Sequence, residues 1–177
     1  GEAGGDLHAR LDDGANILCN LSCSQGLCHE LVTAGGVACL ARHSAATAPE
    51  EGEVRALHAR AARNLSHVRE ADGSLHPAWL GGDVEPLMRR LAAAQRPDDE
   101  SARLDDAAAC LYNLLTAGGA DLAAGEELSG LLTALFKRVE RPETRALCAA
   151  ALISRQAQPE HEDARYSDGS VVALMSA

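Results

Sequence analysis

Aromatic side chains are scarce in this sequence: Trp, Tyr and Phe together make up 2% of its 177 residues, whereas apolar residues make up 46%. A core with so few aromatic rings must be built from Ala, Leu and Val. β-Sandwiches and barrels favour β-branched and aromatic residues, whereas Ala- and Leu-rich chains pack as closely approaching helices. The composition therefore predicts an all-α protein.

A net positive charge and long apolar runs are also missing. The formal net charge is −10, and Lys137 is the only lysine. A nucleic-acid partner requires a basic face that neutralises phosphates, so we expect no nucleic acid as the main partner. No apolar run approaches the ~18 residues of a spanning helix, and the sequence begins with no signal-peptide pattern. We therefore expect no contact with a membrane.

The six cysteines are unevenly spaced and lie mostly on apolar helical faces, which favours buried free thiols in a reducing, cytoplasmic compartment. Cys19, Cys23, Cys28 and His29 form the one group that resembles metal ligands. Because Cys19 and Cys23 fall within one predicted helix and lack the usual Cys-x-x-Cys spacing, buried thiols are preferred over zinc. No catalytic-serine motif or phosphate-binding loop is present. We expect no metal, no cofactor and no enzymatic activity.

The segment 54–68, VRALHARAARNLSHV, organises the chain. Its apolar residues fall three or four positions apart on one face of a helix, namely Val54, Leu57, Ala61, Leu65 and Val68. Its alanines add helix propensity without bulk, so a neighbouring helix can approach closely. The segment predicts a long helix that packs against others of the same kind.

Two ladders of short motifs repeat along the chain. The first is an Asn-Leu pair near the end of each long helix, at intervals of 44 and 49 residues: Asn20-Leu21, Asn64-Leu65 and Asn113-Leu114. The second marks the starts of short helices, each one or two residues after a glycine: Val37, Val84, Leu132 and Val171. Two ladders of matching order and similar period indicate a helical repeat.

The motifs resemble those of the armadillo repeat family. Ala34-Gly35-Gly36-Val37 is similar to the junction before the second helix of such a repeat, and Asn64-Leu65-Ser66 to the end of its third helix. The resemblance implies a right-handed α-solenoid, a superhelix of three-helix repeats that spans residues 1–177. We expect repeat cores at 24–68, 69–117 and 119–157, partial repeats at both ends, and a longer array beyond this segment.

The resemblance also implies a concave groove lined by the long third helices, a surface that suits binding better than catalysis. In peptide-transporting members, the groove asparagine hydrogen-bonds the backbone of an extended ligand, and a tryptophan four residues earlier holds Lys or Arg stems. Here the tryptophan position is occupied by Asn16, Arg60 or Ala109. The candidate partner-binding residues are Asn16, Asn20, Arg60, Asn64 and Asn113.

An alternative interpretation gives the three ladder asparagines a structural role. Asn near a helix end often hydrogen-bonds a backbone group of the adjoining loop, which here would hold neighbouring repeats together. For Arg60, the alternative is a solvated helix face. Both interpretations stay open at the level of sequence.

Two functions follow from the resemblance. The first is a non-catalytic protein–protein interaction scaffold, a subunit of a larger assembly that family analogy suggests is cytoskeletal or ciliary. The second is a peptide-cargo adaptor of the nuclear-transport or adhesion-signalling type. A basic or extended segment would be its ligand, because an acidic chain attracts basic peptides.

Overall fold

The computed structural model describes residues 2–48, 51–93, 100–118, 125–139 and 141–156. These residues form α-helices joined by short turns, together with one 3-10 turn, Pro77–Trp79. The helices are α1 Glu2–Ser22, α2 Gln25–Thr33, α3 Gly36–Ala46, α4 Gly52–Leu65, α5 Val84–Ala92, α6 Glu100–Gly118, α7 Gly125–Arg138 and α8 Pro142–Gln156. Across these ranges the chain forms no β-strand, only an isolated bridge between Arg69 and Leu75. The prediction of an all-α protein is confirmed.

The long helices pack side by side in chain order. α1 packs on α4, α4 on α6, and α6 on α8, and these are the largest contacts between elements. Helices α3, α5 and α7 form a second row, in which α3 contacts α5 and α5 contacts α7. α3 also packs on α4, α5 on α6, and α7 on α8. The described helices therefore form two layers, and the same packing step recurs along each of them.

Small side chains let the long helices approach one another closely. Ala59 and Ala62 of α4 and Ala107 and Ala108 of α6 are fully buried. Alanine adds no bulk beyond Cβ, so the long helices can lie close together at these positions. Leucines and Trp79 supply the larger side chains that fill the core between the layers. Trp79 is fully buried, and its indole N–H donates a hydrogen bond of 3.3 Å to the carbonyl of Leu65.

The Ala-Gly-Gly junction between α2 and α3 has a local cause. Gly35 adopts φ 87°, in the left-handed region that favours glycine. A Cβ on Gly36 would lie 2.6 Å from the carbonyl oxygen of Leu31, so the end of α2 leaves no room for a side chain there. The motif therefore ends α2 with a glycine in the left-handed conformation.

Helix α4 ends at Leu65, three residues before the predicted end at Val68. After Leu65, the backbone N–H groups of His67 and Val68 bond the carbonyls three residues earlier, so the chain closes into a tighter turn. Arg69 then donates hydrogen bonds to the carbonyls of Ser66 and Val68, at 2.5 and 3.0 Å.

The described helices fall within the predicted repeat boundaries as follows. The core 24–68 holds α2, α3 and α4; 69–117 holds the 3-10 turn, α5 and most of α6; and 119–157 holds α7 and α8. The helix start predicted at Val171 lies outside the described residues. No helix in the described ranges combines the length and the apolar character needed to cross a bilayer.

Candidate functional site

Two of the predicted asparagines hydrogen-bond the preceding long helix. Asn64 of α4 donates from Nδ2 to Ser22 Oγ of α1, at 3.2 Å. Asn113 of α6 donates from Nδ2 to Ser66 Oγ, directly after α4, at 2.8 Å. In both contacts the acceptor is a serine side chain near the end of the preceding long helix, and not a loop backbone group.

The two serines are oriented in the same way. The hydroxyl of Ser22 donates to the carbonyl of Cys19 at 2.8 Å, and the hydroxyl of Ser66 donates to the carbonyl of Arg63 at 2.7 Å. A hydroxyl has a single hydrogen to donate, so its oxygen can serve the next helix only as an acceptor. Each serine therefore requires a donor opposite it, and the asparagine amide supplies one.

The next step of the ladder, between α6 and α8, lacks both partners. Leu115 stands where the serine would be, two residues after Asn113, and Ala151 stands where the sequence pattern predicts asparagine. Both residues are fully buried in the same apolar core. Replacing both members of a buried polar pair by apolar groups leaves no unsatisfied donor or acceptor, so it costs little stability.

The other candidate asparagines, Asn16 and Asn20, are exposed on α1. Asn16 donates from Nδ2 to the backbone carbonyl and the carboxylate of Asp12, one turn earlier, at 3.0 and 3.3 Å. Candidate side chains therefore stand one turn apart on two helices. They are Asn16 and Asn20 on α1, and Arg60 and Asn64 on α4. Their role in binding a partner stays a prediction.

Arg60 belongs to a charged cluster between α4 and α6. Arg63 Nη1 lies 2.8 Å from Asp106 Oδ1, and Arg60 Nε lies 3.7 Å from Asp106 Oδ2. The side chain of Asp106 is only 8% exposed, whereas those of Arg60 and Arg63 are 55% and 49% exposed. Two guanidinium groups thus share one buried carboxylate and keep half of their surface in water.

Sequence reasoning selected Arg60 but missed Arg63 and Asp106. The spacing of Arg60 and Arg63, one helical turn apart on one face, was an available signal. Asp106 gave no signal, because the contact of α4 with α6 depends on how two helices pack.

Two further side chains beside this cluster, those of His67 and Arg69, follow α4. His67 is exposed, and its pKa is lowered, first by partial burial and then by the charges of Arg69 and Arg63. Arg69 also donates to the backbone carbonyl of Asn113, at 3.2 Å. We call Arg60, Arg63, His67 and Arg69 the arginine surface.

The cysteines are all free thiols. Burial raises the pKa of Cys19 and of Cys28, and it raises the pKa of Cys110 to about 12. A metal ligand must be a thiolate, so these environments disfavour coordination. No group of three or more metal-ligating side chains with suitable geometry occurs in the part of the chain that the structure describes.

Comparisons of the chain with protein-family profiles, with curated proteins and with solved structures found no match. The site is therefore interpreted from its own geometry.

Proposed function

We propose that this chain is a segment of a right-handed armadillo-type α-solenoid that acts as a non-catalytic protein–protein interaction scaffold. The observation that carries the proposal is the serine–asparagine contact, made at the same place between α1 and α4 and between α4 and α6. Stacked repeats make such recurring contacts, because each repeat packs only on its neighbours. The fold alone does not define a function, so the surface must supply the rest of the argument.

The surface of the long helices supports binding. Asn16 on α1 and Arg60 on α4 are exposed polar side chains at equivalent positions of successive long helices, and Asn20 is exposed one turn after Asn16. A row of such side chains offers hydrogen bonds and charge to a partner laid across the helices. We propose that the chain works as a subunit of a larger cytoplasmic assembly, and by family analogy a cytoskeletal or ciliary one.

The cargo-adaptor alternative is less well supported. Such an adaptor holds Lys or Arg stems beside the groove asparagines, yet Arg60 occupies the position of the aromatic side chain next to Asn64. The guanidinium groups of Arg60 and Arg63 repel a basic ligand at that point. A scaffold has no such requirement, so it is the preferred function.

The test is the native assembly state of the full-length protein. We expect size-exclusion chromatography of extracts from its native cells, with quantitative mass spectrometry, to find it at a mass far above the monomer, with partners in constant ratio. The same measurement is made on the double variant Arg60→Ala/Asn64→Ala and on Arg89→Ala. Arg89→Ala is the control, because Arg89 is an exposed arginine on α5, in the other layer. A monomer without constant partners, even after cross-linking in the cell, would overturn the proposal.

A further inference from the structure

We propose that the arginine surface binds an acidic segment, rich in Asp or Glu, of a partner protein. This inference rests on the proposed scaffold function and names the chemistry of one of its binding surfaces. It differs from what the acidic composition alone suggests, which is attraction of a basic segment.

The first argument is the number of donors left for a ligand. An arginine carries five N–H donors in a planar fork that matches a carboxylate. Arg63 uses Nη1 on Asp106 at 2.8 Å, while the Nε of Arg60, at 3.7 Å, is close enough for charge attraction only. Since about half of each side chain is exposed, the remaining donors are accessible to a second carboxylate.

The second argument is that the guanidinium groups are already positioned. Asp106 is nearly buried, so its carboxylate is fixed by the packing of α6 on α4. It draws Arg60 and Arg63 towards one point from successive turns of α4. An incoming carboxylate therefore meets side chains that have already lost much of their rotational freedom, which reduces the entropic cost of binding.

The third argument is the local charge balance. Arg69 donates to the carbonyls of Ser66, Val68 and Asn113, which satisfy its hydrogen bonds but do not neutralise its charge. The nearby carboxylate of Glu70 instead lies 3.6 Å from Nε2 of His76. Among the contacts described, Asp106 is the ion-pair partner of both Arg60 and Arg63, whereas the hydrogen bonds of Arg69 go to backbone carbonyls. The pKa of His67 is lowered first by partial burial and then by the positive charges of Arg69 and Arg63.

An acidic segment fits this surface better than a nucleic acid does. The arginine surface spans the last turns of α4 and the residues directly after it, whereas the chain as a whole carries a charge of −10. A phosphate backbone longer than the Debye length of about 10 Å would extend from the arginines into the acidic surroundings. A short run of Asp or Glu can place its charge at the arginines alone.

The experiment uses three fluorescent peptides, in which a run of three Glu, three Gln or three Lys residues stands between uncharged residues, and a thymidine oligonucleotide of about ten nucleotides. Binding to the chain is measured by fluorescence anisotropy at low and at raised salt. We expect the Glu peptide to bind best, and its affinity to fall about tenfold in Arg60→Gln/Arg63→Gln and with added salt. Tighter binding of the Lys peptide or of the oligonucleotide would overturn the proposal.

The matched control is Arg89→Gln/Arg90→Gln, which removes two exposed arginines from α5 and the same total charge. We expect this variant to bind the Glu peptide as the unchanged protein does. Equal losses in both variants would mean that net charge, and not the arginine surface, attracts the peptide. A charge reversal, Arg60→Glu/Arg63→Glu, is expected to transfer binding from the Glu to the Lys peptide, and failure to do so would count against the proposal.

The peptide assay and the native assembly test fail independently. A stable native assembly without binding of the Glu peptide would overturn the acidic-segment proposal and leave the scaffold in place. Specific binding by a protein that is monomeric in its cells would overturn the scaffold and leave the arginine surface as an isolated acidic-peptide site.

Discussion

Asn113 Nδ2 lies 2.8 Å from Ser66 Oγ across the contact between α6 and the end of α4, and both residues are buried. Because the hydroxyl hydrogen of Ser66 is held by the carbonyl of Arg63, the asparagine amide is the donor that the serine oxygen requires. This contact and the ion pairs of Asp106 with Arg60 and Arg63 are polar contacts that position α6 on α4.

The first prediction concerns this contact. We expect Asn113→Ala to lower the free energy of unfolding by about 1–3 kcal/mol, because a buried acceptor is left unsatisfied. A double-mutant cycle with Ser66→Ala is expected to give a coupling energy of about 1 kcal/mol. Urea unfolding followed by circular dichroism at 222 nm measures both quantities.

The matched control is Asn20→Ala, which makes the same change at the equivalent but exposed position of α1. It should alter the free energy of unfolding by less than about 0.5 kcal/mol. If both alanine variants lost the same amount, the serine–asparagine contact would not be the cause, since alanine has the higher helix propensity at both positions.

The sequence identified these asparagines and their spacing but not their acceptors. Periodicity along α4 or α6 shows which face of a helix is buried. It does not show how far one helix is shifted along its neighbour, and Asn113 and Ser66 are 47 residues apart in the chain. The same limit applies to Arg63 and Asp106, which only the packing of α6 on α4 brings together.

Local geometry was easier to predict than contacts between helices. The end of α2 followed from Gly35, because the required left-handed conformation depends on that residue alone. The apolar pattern extends α4 to Val68, three residues beyond its end at Leu65, because Val68 is also buried in the turn that follows the helix. The solenoid arrangement and the repeat boundaries remain proposals.

The second prediction concerns Gly14, which the helical pattern of α1 marks as a weak position. A Cβ built on Gly14 would lie 2.3 Å from Nε2 of His43, so the imidazole ring of α3 occupies the space of a side chain. His43 is itself held by His58, at 2.9 Å between Nδ1 and Nε2. We expect Gly14→Ala to destabilise the protein, although alanine favours a helix by about 1 kcal/mol over glycine.

Gly130→Ala in α7 is the control, because a Cβ built on Gly130 would meet no atom of the described residues within 4 Å beyond its chain neighbours and the backbone of its own helix. It should raise the free energy of unfolding by about 0.5–1 kcal/mol. Replacing His43 by alanine together with Gly14→Ala is expected to remove the clash and recover the gain in helix propensity. Equal stabilisation by the two single alanine variants would contradict the prediction.

The third prediction concerns the end of α5, where two buried arginines bind backbone carbonyls. Arg103 donates to the carbonyls of Leu91 and Ala93, at 3.0 and 2.8 Å, and Arg55 donates to those of Arg90 and Ala93. We expect Arg103→Met to lower the free energy of unfolding by about 2–3 kcal/mol, since buried carbonyls lose a charged donor.

Arg103→Lys is expected to recover less than half of this loss, because an ammonium group is more strongly hydrated than a guanidinium group and costs more to bury. The comparison is Arg89→Met, which removes an exposed arginine paired with Glu85 one turn away on α5. Such pairs contribute about 0.5 kcal/mol, so this variant should change little in urea unfolding. Full recovery of the unfolding free energy with lysine would show that a positive charge alone, without the guanidinium group, is sufficient to stabilise the end of α5.

The last prediction concerns the two histidines that join α3 to α4. His58 is fully buried, and burial, the neighbouring His43 and Arg55 lower its pKa to about 4. The unfolded value is about 6.5, so between these values the unfolded chain binds a proton that the folded chain does not. The free energy of unfolding must therefore fall as the pH is lowered from about 6.5 to about 4. Burial lowers the pKa of His43 too, which acts in the same direction.

We expect His58 to contribute up to about 3 kcal/mol to this loss, measured by urea unfolding at several pH values between 8 and 4. His58→Phe keeps a ring but removes the titrating group, so its profile should be flatter. At pH 8 both histidines are neutral in the folded and in the unfolded state. The difference in unfolding free energy between His58→Phe and the unchanged protein at that pH therefore reports packing alone. His67→Gln, at an exposed histidine whose pKa is also lowered, should flatten the profile less. An unchanged slope in His58→Phe would mean that other groups cause the acid sensitivity.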